Sequence, residues 1–214
     1  MCCHVRSEIT IDLGALRRNV ERLRRVLGET ELWAVVKGDG YGHGAADVAG
    51  AAVDAGARAL CVATLAEGLS LRRVLPGPRI LVLGPSDQVR EAREGRLELV
   101  VGGGPIPQDV PVHIKLDTGM GRYGVGRLPP LMPNVVGLMT HLATADTDPA
   151  FAERQLERFR ELTAGSDPRL TLHAANSAAA LRLPSSRLDA ARCGIAIYGL
   201  SPFGTVPARS EVCV

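Results

Sequence analysis

Eight short apolar segments, each of strand length, recur along the chain and set the strongest limit on its fold. They are residues 32–36, 60–63, 80–83, 97–101, 112–116, 135–140, 170–173 and 193–198. Most are almost continuously hydrophobic, which is typical of parallel strands covered on both faces. Helical patterns lie between many of them, at residues 12–27, 45–55, 65–75, 87–94, 149–162 and 178–183. This alternation predicts the α/β class and a (β/α)8 TIM barrel.

Two of the connections between the predicted strands are too poor in helix-forming residues to hold a helix. Residues 102–111 read GGGPIPQDVP, and residues 124–134 read GVGRLPPLMPN. A parallel crossover normally takes a dozen or more residues and usually a helix. The sequence therefore predicts a barrel with two shortened crossovers, whose fourth, fifth and sixth strands lack part of their helical cover.

Composition limits the kinds of protein this chain can be. Of its 214 residues 46% are hydrophobic and 22% charged, with a net charge of +2, which predicts a soluble globular protein without nucleic-acid or membrane partners. Five cysteines without a CxxC pair fit the reducing cytoplasm better than a disulfide framework. We expect one barrel domain over residues 1–206 and a short tail over residues 207–214.

A lysine followed by a glycine-rich turn is the most informative local feature. Lys37 comes directly after the first apolar segment, and Tyr41 lies four residues further on in the sequence KGDGYGHG. A lysine at the end of a barrel strand can form an imine with a carbonyl compound, and a buried lysine can lose its proton near neutral pH. The ordinary alternative is a solvated surface charge.

Six segments, in order along the chain, carry a resemblance to a known family. They are IDLGALRRNV at 11–20, VVKGDGYGHG at 35–44, HIKLDTGMGR at 113–122, THLATAD at 140–146, HAANSAA at 173–179 and DAARCGIAIYG at 189–199. Together they resemble the bacterial alanine racemases, whose barrel belongs to fold type III of the enzymes that use pyridoxal 5′-phosphate (PLP). The resemblance spans about residues 8–206. It implies PLP as cofactor, alanine as substrate, no metal, and a cytoplasmic isomerase that makes D-alanine for cell-wall peptidoglycan.

The resemblance assigns the cofactor's covalent attachment and its phosphate site. Lys37 would hold PLP as an imine and act as a general base on one face of Cα. Tyr41, Ser177 and the backbone amides near Gly194 and Ile195 would bind the phosphate, since glycine permits close backbone approach.

The remaining implied roles concern the ring and the substrate. Arg192 would donate a hydrogen bond to the pyridine nitrogen, which stays unprotonated because arginine does not give up its proton. His141 would back Arg192 or flank the ring, and Arg122 would steer the substrate carboxylate. Asn176 would position the phosphate loop. Lys115 is carbamylated in many relatives, where it orients the arginine.

Several of these residue types have ordinary structural alternatives. Tyr41 and Tyr198 could be wall residues, and the two arginines could be surface ion pairs. We interpret His43, His113 and His173 as structural, Asp117 as a turn hydrogen-bonder and Cys193 as a packing residue.

The family's racemases have a second, β-rich domain that supplies a tyrosine as the opposite-face base across a homodimer. The 214 residues end without it, so three readings stay open: a racemase, a single-domain non-catalytic PLP-binding protein of cofactor homeostasis, and an inactive racemase fragment. The oligomeric state, a homodimer or not, stays open for the same reason.

Overall fold

The strands close into an eight-stranded barrel in which every neighbouring pair is parallel. The computed structural model describes residues 8–204. The strands are β1 Glu31–Val35, β2 Ala59–Val62, β3 Arg79–Val82, β4 Glu98–Val101, β5 Val112–Lys115, β6 Val135–Met139, β7 Thr171–His173 and β8 Ala190–Cys193. They are hydrogen-bonded in sequence order, and β8 returns to β1. The predicted barrel is confirmed.

The helices cover the outside of the barrel and begin at side chains suited to capping. They are Leu13–Leu27, Ala45–Asp54, Leu65–Val74, Val89–Glu94, Pro149–Thr163 and Ser177–Arg182. Asp12 and Asp148 each accept a hydrogen bond from a first-turn amide, and Thr64 with Glu67 forms a capping box. Among the helices within residues 8–204, none is long and apolar enough to cross a bilayer.

The buried side chains form two clusters, one on each side of the strand wall. The larger cluster fills the layer between strands and helices. The smaller one, inside the barrel, includes Trp33, Cys61, Leu81, Val100 and Met139. Polar residues share this interior with it, which is the feature that matters most for the site.

The two connections predicted to lack helices do lack them. Between β4 and β5, and between β5 and β6, the chain forms turns and extended segments. Asn134 ties the two connections together, since its Nδ2 donates to the carbonyls of Pro107 (2.7 Å) and Val110 (2.6 Å). Ile106, Leu128, Leu131 and Met132 pack onto the outer core in place of helices.

The eighth predicted strand, at residues 193–198, was wrong for all but its first residue. β8 ends at Cys193, and Ile195–Tyr198 forms a 3-10 turn. Ser177 Oγ accepts hydrogen bonds from the amides of Gly194 (3.0 Å) and Ala196 (3.4 Å), which turns the chain away from the sheet. The apolar side chains of this turn are buried mostly under the first helix instead, where Asn19 Nδ2 donates to the Ile197 carbonyl (3.2 Å).

The predicted domain boundary at residue 206 and the tail over residues 207–214 lie outside the described residues, so both stay predictions.

Candidate active site

A cavity of about 620 Å³ opens at the carboxyl ends of the strands. All ten residues that the sequence proposed for the site line it: Lys37, Tyr41, Lys115, Arg122, His141, Asn176, Ser177, Arg192, Gly194 and Ile195. They come from five different strand-loop junctions, so only barrel closure brings them together. The carboxyl-terminal mouth is where barrel enzymes place their active sites.

Lys37 begins a turn with an unusual backbone. Gly38, Asp39, Gly40 and Tyr41 all have left-handed helical dihedral angles, which L-residues other than glycine adopt only at a cost. Hydrogen bonds offset that cost: the Gly38 amide donates to Glu67 Oε1 (2.8 Å), and Asp39 Oδ1 accepts from the Ala45 amide (2.8 Å). The turn thereby fixes where the lysine leaves the strand.

Tyr41 packs closely against the chain that follows β8. Its ring centroid lies 5.0 Å from that of Tyr198, whose hydroxyl donates to the Val35 carbonyl (3.2 Å). A Cβ on Gly194 would lie 2.5 Å from the Tyr41 hydroxyl oxygen, so a larger residue here would have to displace the Tyr41 ring. Burial raises the pKa of both tyrosines, and both stay protonated donors at neutral pH.

Ser177 and Asn176 join the loops after β6, β7 and β8. Because Ser177 Oγ accepts two amide hydrogens, its own hydroxyl hydrogen is available to a ligand. No acceptor within residues 8–204 takes the amide hydrogen of Ile195, which lines the cavity beside it. Asn176 Oδ1 caps the helix Ser177–Arg182, and its Nδ2 donates to the Leu142 carbonyl (3.1 Å).

Arg192 is 4% exposed and forms the floor of the cavity. Its Nη1 donates to Nδ1 (2.7 Å) and the carbonyl (3.0 Å) of His173. Its Nη2 donates to the carbonyls of Thr140 (2.8 Å) and Ala174 (3.2 Å). All four Nη hydrogens are therefore satisfied, and within the described part of the chain the Nε hydrogen has no acceptor. Burial lowers the pKa of Arg192 to about 10, so the group is cationic at neutral pH.

The opposite wall of the cavity carries Lys115, Arg122 and His141. Lys115 Nζ donates to the carbonyls of Arg122 (2.6 Å) and Tyr123 (2.5 Å). Burial and the Arg122 charge lower the pKa of Lys115 to about 8. Burial, with Arg192 second, lowers the pKa of His141 to about 3, so this imidazole is neutral at physiological pH.

The loop that carries Arg122 is held by a single carboxylate. Asp117 Oδ1 accepts from the amides of Gly119 (3.0 Å), Met120 (2.9 Å) and Gly121 (3.1 Å), which confirms its predicted turn role. These bonds lower the pKa of Asp117. The carboxylate is therefore occupied in shaping the loop.

Sequence reasoning missed the residue that backs Arg192. The first of the two roles weighed for His141 was contact with Arg192, yet the guanidinium bonds to His173. His173 is the last residue of β7, and inward alternation along that strand was the one signal that could have pointed to it. Its neighbour His113 is also inside the barrel, with Nδ1 2.9 Å from His173 Nε2.

Comparisons with known proteins agree with this geometry. The family model described as alanine racemase, N-terminal domain, matches residues 11–104 and 106–202. An alanine racemase of Nostoc sp. is 40% identical over 231 residues, covering 92% of this chain and 59% of that protein. One of Geobacillus stearothermophilus is 41% identical over 221 residues, covering 90% and 56%.

Solved structures of similar proteins share the fold. The alanine racemase of E. faecalis superposes with a TM-score of 0.84 at 34% identity, covering 95% of this chain and 62% of that one. The alanine racemase of Bacillus anthracis with bound L-Ala-P gives 0.80 at 35% identity, covering 94% and 59%. The chain thus spans about 60% of the length of the relatives it matches.

Proposed function

The chain belongs to the alanine racemase family, and on that premise we propose that its barrel binds PLP through Lys37 and interconverts L- and D-alanine. The observation that carries the proposal is the convergence of all ten expected residues on one cavity at the carboxyl-terminal mouth. By family, the D-alanine would serve peptidoglycan synthesis.

The residues of the cavity fit the cofactor. A phosphate would lie against the close approach of Gly194 and Tyr41, with the Ser177 hydroxyl and the Ile195 amide as further donors. Arg192 Nε is the remaining donor for a ring nitrogen that carries no proton. A guanidinium there disfavours ring protonation, since two donors cannot share one contact.

The chain's own groups then have distinct tasks. PLP supplies an electron-withdrawing ring that acidifies the Cα–H of an attached amino acid. Lys37 Nζ would take the proton from Cα on one face, and inversion would be completed by a proton delivered from solvent on the opposite face. Arg122, whose charge faces the cavity, holds the alanine carboxylate, and His141 stays neutral beside it.

We also propose that Lys115 is carbamylated. Its lowered pKa leaves a substantial fraction as free amine near pH 8, and an amine attacks CO2 to give a carbamate and a proton. The new carboxylate would lie next to Arg122, replacing an ammonium with an anion beside the guanidinium. That change of charge would fix the orientation of Arg122 toward the substrate.

The two-lysine composition of the chain allows a sharp test of the attachment site. Lys37 and Lys115 are the only lysines in the sequence. Borohydride reduction of the PLP-loaded chain, followed by peptide mass mapping, should place the pyridoxyl group on Lys37. Lys37→Arg should lose the visible absorbance and the label, while the matched control Lys115→Arg should keep both. A label on Lys115 or on the amino terminus alone would contradict the assignment.

The outcome also separates the alternatives. Cofactor attachment together with exchange of the alanine Cα proton supports a racemase. Attachment without exchange supports a cofactor-binding protein, and a folded chain that binds no PLP supports an inactive relative.

A further inference from the structure

We infer that Glu98, His113 and His173 position Arg192 through a one-directional hydrogen-bond chain across the barrel interior, with Glu98 as the distant counter-ion of the buried guanidinium. The inference deepens the proposed function, on which its cofactor arm rests. None of the three residues lines the cavity at the carboxyl-terminal mouth, so they act through Arg192.

The hydrogen-bond chain runs without a break from one end of the barrel interior to the other. Glu98 is the first residue of β4, His113 the second of β5 and His173 the last of β7. Glu98 Oε2 lies 2.9 Å from His113 Nε2, His113 Nδ1 lies 2.9 Å from His173 Nε2, and His173 Nδ1 lies 2.7 Å from Arg192 Nη1. Each step has ordinary hydrogen-bond length.

Only one arrangement of protons satisfies every contact. Arg192 can only donate, so His173 Nδ1 must accept and the His173 proton is on Nε2. His173 Nε2 then donates to His113 Nδ1, which leaves the His113 proton on Nε2, where it faces the carboxylate of Glu98. A second proton on either ring would place two hydrogens in one contact, so both imidazoles are neutral.

The charges support the same direction. Arg192 forms no salt bridge with any carboxylate among residues 8–204. Glu98 is ionised, because His113 and Arg79 oppose the effect of its burial and lower its pKa to about 2. Arg79 binds Glu98 (2.9 Å) and lies 3.8 Å from Glu31. The two carboxylates Glu98 and Glu31 therefore balance the charges of the two cations, Arg79 and Arg192.

Close packing holds the imidazole rings of His113 and His173 in their hydrogen-bonded positions. A Cβ on Gly137 would overlap His113 Nδ1, so glycine at this position makes room for the imidazole. Trp33, fully buried, packs against both rings, with centroids 4.6 Å from His173 and 5.7 Å from His113. The interior therefore holds the relay in one geometry.

The first arm of the test needs no cofactor. In the ¹⁵N-labelled protein without PLP, at pH 7, NMR should find His113 and His173 neutral, each with its proton on Nε2. Glu98→Gln should shift the ring nitrogens of His173 and the guanidinium signals of Arg192, neither of which touches Glu98. The matched control Glu31→Gln also removes a carboxylate from Arg79. Its amide oxygen can still accept from Trp33 Nε1, so the tautomer of His173 and the Arg192 signals should stay unchanged.

Two results would overturn the inference. One is a His173 that carries its proton on Nδ1 in the unsubstituted chain. The other is Glu98→Gln with unchanged His173 and Arg192 signals, which would reduce Glu98 to an anchor for Arg79. If Glu98→Gln does not fold, the tautomers of the unsubstituted chain decide the matter alone.

The second arm of the test measures the ring nitrogen and the binding of the cofactor. With PLP labelled at the pyridine nitrogen, Glu98→Gln should move the ring-nitrogen resonance and weaken PLP binding by about tenfold, as expected when a charge-assisted contact is loosened. Glu31→Gln should do neither. Failure of the unsubstituted chain to bind PLP would sink the proposed function but leave the tautomer result standing, so the two failures are distinguishable.

Discussion

Lys115 ends β5 with its ammonium between two backbone carbonyls and beside a second cation. A charged amine is held there by the carbonyls, and a neutral one is favoured by burial and by Arg122. The balance between these effects decides whether the amine is available to CO2.

We predict that ¹³C-bicarbonate at pH 8 gives a carbamate signal from Lys115, because its pKa of about 8 leaves close to half of the amine neutral. Lys115→Arg should abolish the signal, whereas Lys37→Arg should retain it. The amino terminus can also form a carbamate, so the comparison is between spectra. A spectrum of Lys115→Arg identical to that of the unsubstituted chain would refute the modification.

For individual residues, the sequence predicted the positions of the site residues better than it predicted their hydrogen-bond partners. Lys37, Arg122 and Arg192 could be placed because they lie in motifs of fixed spacing at the carboxyl ends of strands or in the loops that follow them. The bond between Arg192 and His173 could not, because it joins residues from two strands and depends on which faces turn inward after closure. Motif spacing describes one segment at a time, whereas hydrogen bonds cross between segments.

Among the elements, the left-handed turn after β1 has the backbone that most depends on glycine. Gly40 has a φ of +63°, and a Cβ there would lie 3.3 Å from the backbone of Ala45. The positive φ and the short clearance both make a side chain at this position unfavourable.

We predict that Gly40→Ala lowers the free energy of unfolding by about 1–2 kcal/mol, the cost of a left-handed residue, and weakens PLP binding because Lys37 is displaced. The matched control is Gly50→Ala in the helix Ala45–Asp54, where a Cβ meets nothing within 4 Å. That change should stabilise by about 0.5–1 kcal/mol, since alanine is the better helix former. Urea unfolding of both variants measures the difference, and equal effects would contradict the account.

The error at the eighth strand shows where element prediction fails. Residues 195–198 are apolar enough for a buried strand, and hydrophobicity cannot tell a strand from a buried turn. What decides is the Ser177 hydroxyl, which comes from the first residue of the helix after β7 and accepts the Gly194 amide hydrogen. The two helix-less crossovers were predictable because glycine and proline exclude helices locally.

For the whole molecule, the interior of the barrel carries more ionisable groups than its size suggests. His113, His141 and His173 have pKa values lowered chiefly by burial, and Glu98 has a pKa lowered by its two partners. These shifts link folding to pH.

We predict that the molecule loses stability in acid in two stages. Below about pH 6.5 the unfolded chain takes up histidine protons that the folded chain refuses, so unfolding becomes easier by about 1.4 kcal/mol per proton and pH unit. Glu98 contributes stability above its unfolded pKa of 4.5, and this is lost as the pH falls toward 2. Urea unfolding at pH 7.5, 6.0 and 5.0 measures the first stage.

His141→Asn should reduce the pH dependence of the free energy of unfolding in the first stage, by the contribution of up to one proton. A free energy of unfolding that is constant or rises between pH 7.5 and 5.0 would show that these histidines are not kept neutral by the fold.

The architecture itself followed from the sequence because eight apolar segments, most of them separated by helical connections, leave few alternatives to a closed parallel barrel. The register and the polar interior did not follow, since both depend on how the strands tilt and stagger when the barrel closes.

We infer that this barrel transfers the Cα proton through Lys37, and exchange of that proton with solvent is the direct measurement. The purified chain with added PLP would be incubated with L- or D-alanine in deuterated buffer, and loss of the Cα proton signal followed by NMR. We expect exchange of at least one enantiomer, absent in Lys37→Arg and retained in Lys115→Arg at a reduced rate. A folded, PLP-loaded chain that exchanges neither enantiomer would contradict it and leave cofactor binding as the function of the barrel.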